Sequence, residues 1–405
     1  MKRYRRYGPV SRATIVGNRA VFLAGPEAVA PVLANHDRVF ASGPGWNPVV
    51  GSLLPDALSS MDAAEHLYWR RIIQSAFSRD SVRGHVENSA AFTRAQTDTW
   101  QTGDGFRLQS ALERLMVGLS LQEFTSTCEI GRLEELNEGF KAISKAAVSP
   151  LRIPLPGSLW ARAAKQRATL ETYFGEMITA KQGTSGDLLA RLATLPEAAH
   201  GGRSLANFLV AFLIASYGTT ANTLASACYF LARHPEWQDR VRAECLSAGT
   251  PELGLAPTDR LKDLDRVLKE TLRLLPPVFI IPRAATRDTE ILGHRIPAGT
   301  FVAAQIMLTQ RLPEIWPDPD RFAPDRFDPA GRTTGRQRDL LMPYGSGVHK
   351  CIGLHLAEGQ MRTIMYHLLT TFRWSIREDR ERAFDFSVLH CFADGLPVRL
   401  DRLPG

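Results

Sequence analysis

Residues 344–353 read YGSGVHKCIG and set one cysteine, Cys351, in a glycine-rich loop. An apolar stretch with helical spacing begins at Leu354. The glycines allow tight backbone turns that aim N–H groups at the sulfur, and the positive end of the following helix favours a thiolate there. A thiolate is the form of cysteine that binds metal. Because no second Cys or His stands at zinc spacing, the loop favours a haem iron bound by Cys351.

The same loop resembles the cysteine loop of the cytochrome P-450 family, which surrounds the axial ligand of a haem with an aromatic, a basic and two glycine residues. The matching positions here are Tyr344, Gly347, His349, Cys351 and Gly353. Tyrosine stands where the family has phenylalanine, so a hydroxyl is added near the sulfur and would affect the iron potential. A lone cysteine can also be a small core residue, but the further motifs below favour the ligand.

Length and cysteine usage describe one large domain in a reducing compartment. No repeat or Pro/Gly/Ser-rich linker divides the 405 residues, so we expect a single haem domain over residues 1–405. The five cysteines are scattered and odd in number, which argues against a disulfide framework. The basic start, MKRYRR, precedes no apolar stretch. We therefore expect no secretory signal, no membrane anchor and a cytoplasmic location.

One segment is long enough to cross a bilayer. Phe208 to Ala232 contains no charged residue over 25 positions. Its middle, Ser216 to Thr223, is too polar for a lone helix in lipid. A helix that is apolar on all sides around a polar centre suits the core of a large soluble protein. We therefore predict a buried helix.

The net charge of +7 is spread along the chain. Scattered basic residues usually form a solvated surface, and the functional alternative is a basic face that docks an acidic electron carrier. No basic run is interleaved with aromatic residues, so nucleic-acid binding is not supported.

Helical spacing of apolar residues dominates from about residue 65 to 275. Pro26 is expected to open a short helix, and Gly17-Asn18 is expected to turn a β-hairpin. Strand patterns occur at residues 11–16, 19–24, 289–291, 301–303 and 397–400. The chain is thus predicted to be mainly α with minor β. This order matches the cytochrome P-450 fold, which has a long central helix over the haem and small sheets on the N-terminal side and at the C-terminus.

A second motif joins two distant segments. Glu270 and Arg273 stand at i, i+3 on a predicted helix, where their side chains can pair. They resemble the family's Glu-x-x-Arg, and Arg326 lies in a Pro/Asp-rich meander that resembles the segment whose arginine joins that pair. A planar guanidinium suits a buried bidentate knot. The alternative for Glu270 and Arg273 alone is a surface ion pair, and with the meander we predict a structural triad.

A third set concerns the haem carboxylates, which need cationic or hydrogen-bonding partners when buried. His66 and Arg70 lie at i, i+4 on one helix face and resemble the family's His-x-x-x-Arg. Arg283 and His349 stand where the family supplies further donors to these propionates. Each residue alone could be a surface charge, and together they favour propionate binding.

The fourth site lies in the long helix and departs from the family. The family pattern Ala-Gly-x-Asp/Glu-Thr corresponds to Ala215 to Thr219, so Thr219 matches while Ser216 replaces glycine and Gly218 replaces the acid. A mid-helix threonine can bond back to a carbonyl and open a groove. In the family this groove holds dioxygen. Gly218 could also be a kink that admits a bulky substrate, at a cost of about 1 kcal/mol relative to alanine.

The missing acid leaves the proton route open. Water aligned by Thr219, Thr220 and the Tyr217 hydroxyl could replace it, or a hydroxyl or carboxyl group on the substrate could deliver protons. Alternatively, the enzyme uses peroxide or carries out a rearrangement, where the relay matters less.

The substrate pocket is predicted from segments that line it in the family. Its predicted residues are mostly apolar, which indicates a lipophilic molecule, although each could also be plain core. They are Trp46, Ser216, Tyr217, Gly218, Phe279, Ile280 and Phe392. Residues 7–10 and 149–157 resemble the retinoid-hydroxylase and sterol-demethylase branch, which implies a terpenoid, retinoid or steroid-like substrate and a place in secondary metabolism.

The resemblance implies a monooxygenase that binds haem b and hydroxylates a lipophilic small molecule. No dinucleotide fingerprint or flavin domain is present, so electrons are expected from a ferredoxin or flavodoxin with its reductase. Lys350, His355 and Arg362 are predicted to lie on the docking surface for that partner. A peroxide-dependent or rearrangement enzyme is the alternative, and a haem-thiolate sensor is a non-enzymatic one.

Overall fold

The computed structural model describes most of the chain. The described residues are 1–15, 18–147, 149, 152–182, 187–195, 205–249, 260–328, 340–377, 383–386 and 389–404. Gly17 of the predicted hairpin turn and positions 150–151 of the proline-rich loop lie outside them.

Helices form most of the described structure, which confirms the predicted mainly α fold. In chain order they are α1 (Lys2–Tyr7), α2 (Pro26–Ala34), α3 (Gly43–Trp46), α4 (Ala63–Gln74), α5 (Arg79–Thr97), α6 (Leu108–Thr125), α7 (Leu133–Ala147), α8 (Leu159–Ala180), α9 (Leu188–Ala193), α10 (Leu205–Arg233), α11 (Pro235–Ser247), α12 (Lys262–Leu274), α13 (Ile306–Thr309) and α14 (Leu354–Thr371). Short turns of 3-10 helix join them at Leu58–Ser60, Ser75–Phe77, Ile130–Arg132, Pro324–Phe327 and Gly347–His349, with a π-helical turn at Asn47–Gly51.

The strands form small sheets beside the helices. They are β1 (Val10–Ile15), β2 (Asn18–Leu23), β3 (Phe40–Ala41), β4 (Gly103–Arg107), β5 (Ile280–Ala285), β6 (Thr289–Ile291), β7 (His294–Ile296), β8 (Phe301–Gln305), β9 (Phe372–Ser375), β10 (Phe384–Phe386), β11 (His390–Phe392) and β12 (Pro397–Arg402). The largest sheet has the order β1-β2-β8-β5-β3, and a second has the order β4-β12-β9. The pairs β6-β7 and β10-β11 are hairpins.

The N-terminal hairpin differs slightly from its prediction. Ile15 pairs with Asn18, so the second strand begins one residue earlier than predicted. Several strands were not predicted. Among them, β4 interrupts a region expected to be helical, and β5 follows α12. Strand β5 pairs antiparallel with β8 and so places Arg283 beside Val302.

The long helix α10 runs through the interior. Among the described residues it is the one helix long and apolar enough to cross a membrane, yet 78% of its most apolar 18-residue window is buried inside the protein. It packs against α6, α8 and α12. Burying apolar residues on all of its sides is the dominant favourable term in its folding. The segment is therefore a core helix, as its polar centre predicted.

Two apolar clusters hold the elements that carry the candidate site. The larger one surrounds α10 and includes Phe124, Phe140 and Leu369. The smaller one lies between the largest sheet and α2 and includes Leu33 and Val302. Close packing in these clusters fixes the loop before α14 relative to the sheet.

Candidate functional site

The cysteine loop presents backbone N–H groups to its sulfur. The N–H of Cys351 donates to the carbonyl of Tyr344 at 2.9 Å, which closes the loop. The N–H groups of Gly353 and Leu354 bond to the sulfur and lower the pKa of the thiol, and the charge of Arg70 acts in the same direction. Burial raises that pKa and outweighs these effects. The loop thus supplies the donors that a thiolate ligand needs, at the first turn of α14.

Tyr344 stands in this loop with its side chain mostly enclosed. Burial raises the pKa of its phenol, and the charges of Glu358 and Cys351 add to that shift. Its hydroxyl has no hydrogen-bond partner among the described residues. The hydroxyl that distinguishes this loop from the family pattern is therefore a buried polar group near the sulfur.

Gly347 allows the loop to pass close to the end of α2. Its φ is +67°, and an added Cβ would lie 2.6 Å from the carbonyl oxygen of Ala34 and 2.7 Å from that of Leu33. Gly345 has a similar φ of +66°, but an added Cβ there meets its nearest atom, Ile281 Cδ1, at 3.6 Å. Both glycines have a left-handed backbone conformation, but only Gly347 lacks space for a side chain.

This difference gives a matched test. We expect Gly345→Ala to cost about 1–2 kcal/mol from the left-handed backbone alone. Gly347→Ala should cost roughly twice as much, because backbone carbonyls of α2 must also move. Urea unfolding of the haem-loaded variants measures both costs, and equal costs would contradict the close approach described here.

A cluster of basic residues lies beside the cysteine loop. The rings of His66 and His349 are 4.0 Å apart between centroids. Arg70 Nη2 donates to the carbonyl of Lys350 at 2.9 Å. Burial, followed by the charges of His349 and Arg70, lowers the pKa of His66 to about 4. The structure therefore brings together three of the four residues predicted to bind the haem carboxylates.

Arg283 joins the cluster from β5. Arg283 is only 4% exposed, and its Nη1 donates to the carbonyl of Pro282 at 2.8 Å. Burial lowers its pKa to about 10. Gly45 makes room for this strand, because a Cβ there would lie 2.5 Å from Arg283 Cα. The charge of Arg283 also contributes to the lowered pKa of His66, so Arg283 lies near the other basic residues of the cluster.

The donor set fits an anionic ligand such as the carboxylates of haem. Asp62 is the carboxylate that interacts with this cluster, with an oxygen 3.7 Å from His349 Nε2. It already accepts N–H bonds from Ser42 and Gly43, both at 2.7 Å. No described carboxylate lies within ion-pairing distance of Arg283. Because an unpaired buried cation is costly, the cluster favours a further anion.

The predicted triad forms a compact buried network. Arg273 Nε and Nη2 donate to the two oxygens of Glu270 at 2.7 and 2.9 Å, and both residues are 0% exposed. Arg326 Nε donates to Glu270 Oε1 at 3.0 Å, and the N–H of Ala323 donates to the same oxygen at 2.9 Å. Helix α12 is thereby joined to the meander that precedes the cysteine loop.

The threonines of α10 bond back to the preceding turn. Thr219 Oγ1 donates to the carbonyl of Ala215 at 3.0 Å, and Thr220 Oγ1 donates to that of Ser216 at 3.4 Å. Ser216 Oγ also lies 3.2 Å from Ser120 Oγ on α6. These bonds match the back-bonding that was predicted for a mid-helix threonine.

Tyr217 is placed away from the predicted relay. Its ring packs on Phe140 of α7 at 5.5 Å between centroids, and the side chain is buried. Residues 217 and 219 are about 200° apart around an α-helix. The hydroxyl of Tyr217 is therefore not available to align water beside Thr219, which corrects both its relay and its pocket assignment.

The four predicted pocket residues outside α10 fall into two groups. Trp46, Phe279 and Ile280 are partly buried; Trp46 ends α3, Phe279 directly precedes β5 and Ile280 begins it. Phe392 belongs to the core, because its ring packs on Tyr229 and Phe384 at 5.1 and 4.9 Å between centroids. The pocket assignment of Phe392 is thus corrected.

Leu389, three residues before Phe392, lies beside the long helix. A Cβ added at Gly218 would lie 2.9 Å from Leu389 Cδ1, so the C-terminal hairpin approaches the long helix through this side chain. The sequence did not predict the approach of Leu389 to the long helix, because apolar residues around it follow neither helical nor strand spacing.

The predicted docking surface also needs a correction. Lys350 and His355 are exposed. Arg362 forms a short ion pair with Asp265, at 2.6 Å from Nη2 to Oδ1. The charge of Arg362 is therefore largely neutralised within the protein, by an ion pair that joins α14 to α12.

His390 on β11 gives the protein a pH-dependent element near the long helix. Its Nδ1 lies 3.0 Å from the carbonyl of Pro276 and must carry the proton, and its Nε2 lies 3.0 Å from Ser226 Oγ. Burial lowers the pKa of His390 to about 4, below the ordinary value of about 6.5. Its contribution to stability is therefore complete above about pH 6.5 and is lost as the pH falls towards 4.

We expect this residue to account for about 1 kcal/mol of stability lost between about pH 7 and about pH 5.5. His390→Gln should remove that part of the pH dependence, whereas His36→Gln, at an exposed position, should leave it unchanged. Urea unfolding at the two pH values measures the difference. An unchanged pH dependence in His390→Gln would show that His390 does not titrate in this way.

Comparisons with known proteins agree with this geometry. The cytochrome P450 (cytochrome P-450) family matches residues 131–390. Cyclooctat-9-en-7-ol 5-monooxygenase of Streptomyces melanosporofaciens is 31% identical over 92% of this chain and 83% of its own length. Abscisic acid 8'-hydroxylase 1 of rice, Oryza sativa subsp. japonica, is 28% identical over 99% of this chain and 85% of its own length.

A solved structure matches along nearly the whole length. It is the retinoic acid-bound cyanobacterial CYP120A1, with a TM-score of 0.90, 25% sequence identity, and coverage of 99% of this chain and 93% of that one. Together with the family match, it confirms the predicted fold and cofactor. The chain belongs to the cytochrome P-450 family, whose members are monooxygenases that bind haem b through a cysteine thiolate.

Proposed function

We propose that this protein hydroxylates a lipophilic isoprenoid, with Cys351 as the axial ligand of its haem. The observation that carries this proposal is the cradle around Cys351, in which N–H groups of Gly353 and Leu354 bond to the sulfur. Bound haem supplies the activation of dioxygen, and the thiolate favours cleavage of the O–O bond. A neutral core cysteine would need no such donors.

The haem carboxylates are proposed to bind the basic cluster. Arg283 and His66 are buried and lack a described carboxylate in direct contact, while Arg70 and His349 complete the set. Charge-assisted bonds to two carboxylates would repay the cost of burying these groups. The four residues would thereby fix the orientation of the haem.

Thr219 is proposed to act at the oxygen site on α10, with Thr220 beside it. The Thr219 hydroxyl donates to the carbonyl of Ala215, so its lone pairs are left to accept a proton donor. Gly218 supplies no acid. Protons are therefore proposed to come from ordered water or from a polar group on the substrate.

The substrate class rests on the pocket and the relatives. Trp46, Phe279, Ile280 and Leu389 offer apolar surface, which favours a lipophilic ligand. One relative is named for cyclooctat-9-en-7-ol and the matched structure for bound retinoic acid. Both molecules are isoprenoids that carry oxygen, so a terpenoid or retinoid is the proposed class.

Electrons are proposed to come from a ferredoxin or flavodoxin with its reductase. Lys350 and His355 are exposed beside the cysteine loop and would meet an acidic partner. Gly218 supports one competing function, because an enzyme that uses peroxide, or that catalyses a rearrangement, has less need of a helix acid.

Two measurements test the proposal. Absorption titrations of the ferric protein with terpenoids and retinoids should move the haem from low to high spin as the ligand displaces bound water. Product should then require both a reductant system and dioxygen. Product formed with peroxide alone would favour the competing peroxide-dependent function, and the absence of any spin shift would contradict the substrate class.

A further inference from the structure

Asn222 lies one helical turn after Gly218 on α10 and is only 6% exposed. Helical side chains lean towards the N-terminus, so the side chain of Asn222 leans towards the turn that contains Gly218. Gly218 itself contributes no side chain there. The nearest group to a Cβ added at Gly218 is Leu389 Cδ1 at 2.9 Å. Asn222 is thus the polar side chain one turn after the position of the missing acid, on the same side of α10.

A hydrogen-bond network fixes the orientation of this amide. The N–H of Phe392 donates to Gln109 Oε1 at 2.8 Å, so the Nε2 of Gln109 must point the other way. This Nε2 donates to Glu113 Oε1 at 2.8 Å and to Asn222 Oδ1 at 3.4 Å. Glu113 is held in turn by Lys141, at 2.9 Å from Oε2 to Nζ. The position of the Asn222 oxygen is therefore assigned by its partner, Gln109 Nε2, and the nitrogen takes the other position.

The network leaves the Nδ2 of Asn222 as an unused donor. Its Oδ1 faces Gln109, and no described residue accepts a hydrogen bond from its Nδ2. This nitrogen is not among the fully enclosed side-chain atoms that lack a partner, so it keeps some accessible surface. A polar donor in such a position usually has a ligand or water as its partner.

We propose that Asn222 Nδ2 binds an acceptor oxygen beside Gly218, either on the substrate or in a water molecule. The inference rests on the proposed function and narrows it: a hydroxyl or carbonyl oxygen on the isoprenoid would be recognised at this point. Asn222 is then the contact residue, and Gln109 and Glu113 position it.

The test compares ligands that differ by one oxygen. Cedrol and cedrane, and menthol and p-menthane, are titrated against the haem-loaded wild type and Asn222→Leu, with spin shift as the readout. If the oxygen belongs to the ligand, the variant should bind the alcohols roughly tenfold more weakly, because a hydrogen bond to a buried donor is lost. Hydrocarbon affinities should stay within about twofold.

A second readout covers the case in which the oxygen belongs to water. In that case the wild type and Asn222→Leu bind each alcohol and each hydrocarbon with the same affinity. Asn222→Leu should nevertheless send more electrons from the reductant into hydrogen peroxide than the wild type does. This readout needs no substrate, so it still decides the role of Asn222 if the wild type binds none of the isoprenoids. Unchanged affinities together with unchanged peroxide formation would overturn the inference.

Two further variants separate the network from a general electrostatic effect. Glu113→Leu removes the group that holds Gln109 and should reproduce the direction of the Asn222→Leu change. Glu138→Gln is the matched control, because Glu138 also pairs with Lys141, at 3.2 Å, but its side chain is 62% exposed and does not contact Gln109. Thermal unfolding of each variant excludes loss of fold as the cause. An effect of Glu138→Gln equal to that of Glu113→Leu would contradict the positioning role.

Discussion

Replacing Cys351 with serine is expected to lower oxygenation by more than about 1,000-fold, because a neutral hydroxyl cannot donate electron density to the iron as a thiolate does. The N–H groups of Gly353 and Leu354 are oriented towards the sulfur, where they would stabilise the negative charge of a thiolate ligand, and serine would supply no such charge. This is the largest functional effect that we expect from a single substitution.

The loss should be visible without turnover. The reduced, carbon monoxide-bound wild type should show the red-shifted Soret band of thiolate ligation, and Cys351→Ser should lack it. Cys391→Ser, at a partly buried cysteine on β11, is the control and should keep the band. Wild-type turnover by Cys351→Ser would show that the ligand has been misassigned.

Replacing Glu270 with glutamine is expected to destabilise the fold by about 3–5 kcal/mol. Glu270 is 0% exposed and accepts bonds from Arg273 and Arg326, and the N–H of Ala323. Glutamine keeps the shape but removes the charge, which leaves the guanidinium of Arg273 buried without a counter-ion. The meander before the cysteine loop would lose its attachment to α12, so haem content should fall as well.

Urea unfolding of the haem-loaded protein measures this cost. Glu135→Gln is a close control, because Glu135 and Arg132 form a glutamate–arginine pair at the same i, i+3 separation but on the surface, 3.2 Å apart. Removing that pair should cost less than about 1 kcal/mol. A similar small cost for Glu270→Gln would contradict the structural role of the triad.

The parts of the site that could be predicted depend on short spacings. The cysteine loop is contiguous in sequence, and Glu270 and Arg273 are three residues apart on one helix. Such patterns determine local geometry directly, since helix spacing sets which side chains share a face. Arg326 could be added only because the meander resembles that of a known family.

Tyr217 could have been placed correctly from the sequence. Helix geometry alone sets Tyr217 opposite Thr219. The prediction considered the chemistry of its hydroxyl group but not the direction in which the side chain points. The positions of Phe392 and Leu389, in contrast, could not be predicted in this way. The sequence around Leu389 has no periodicity that reveals which side chain reaches the long helix.

The network around Asn222 was beyond the reach of the sequence. Gln109 and Asn222 are 113 residues apart, and the N–H of Phe392 is 283 residues from its acceptor on Gln109. Contacts at such separations follow from how α6, α10 and the C-terminal hairpin pack together. No local pattern in the residues between them encodes that packing.

The measurement that tests the central claim most directly follows the oxygen atom. The haem-loaded protein is supplied with an isoprenoid that gives a spin shift, a ferredoxin with its reductase, and isotopically labelled dioxygen. Our account predicts a hydroxylated product that carries one labelled oxygen atom and is not formed by Cys351→Ser. Product whose new oxygen comes from water, or product that forms equally well without dioxygen, would contradict it.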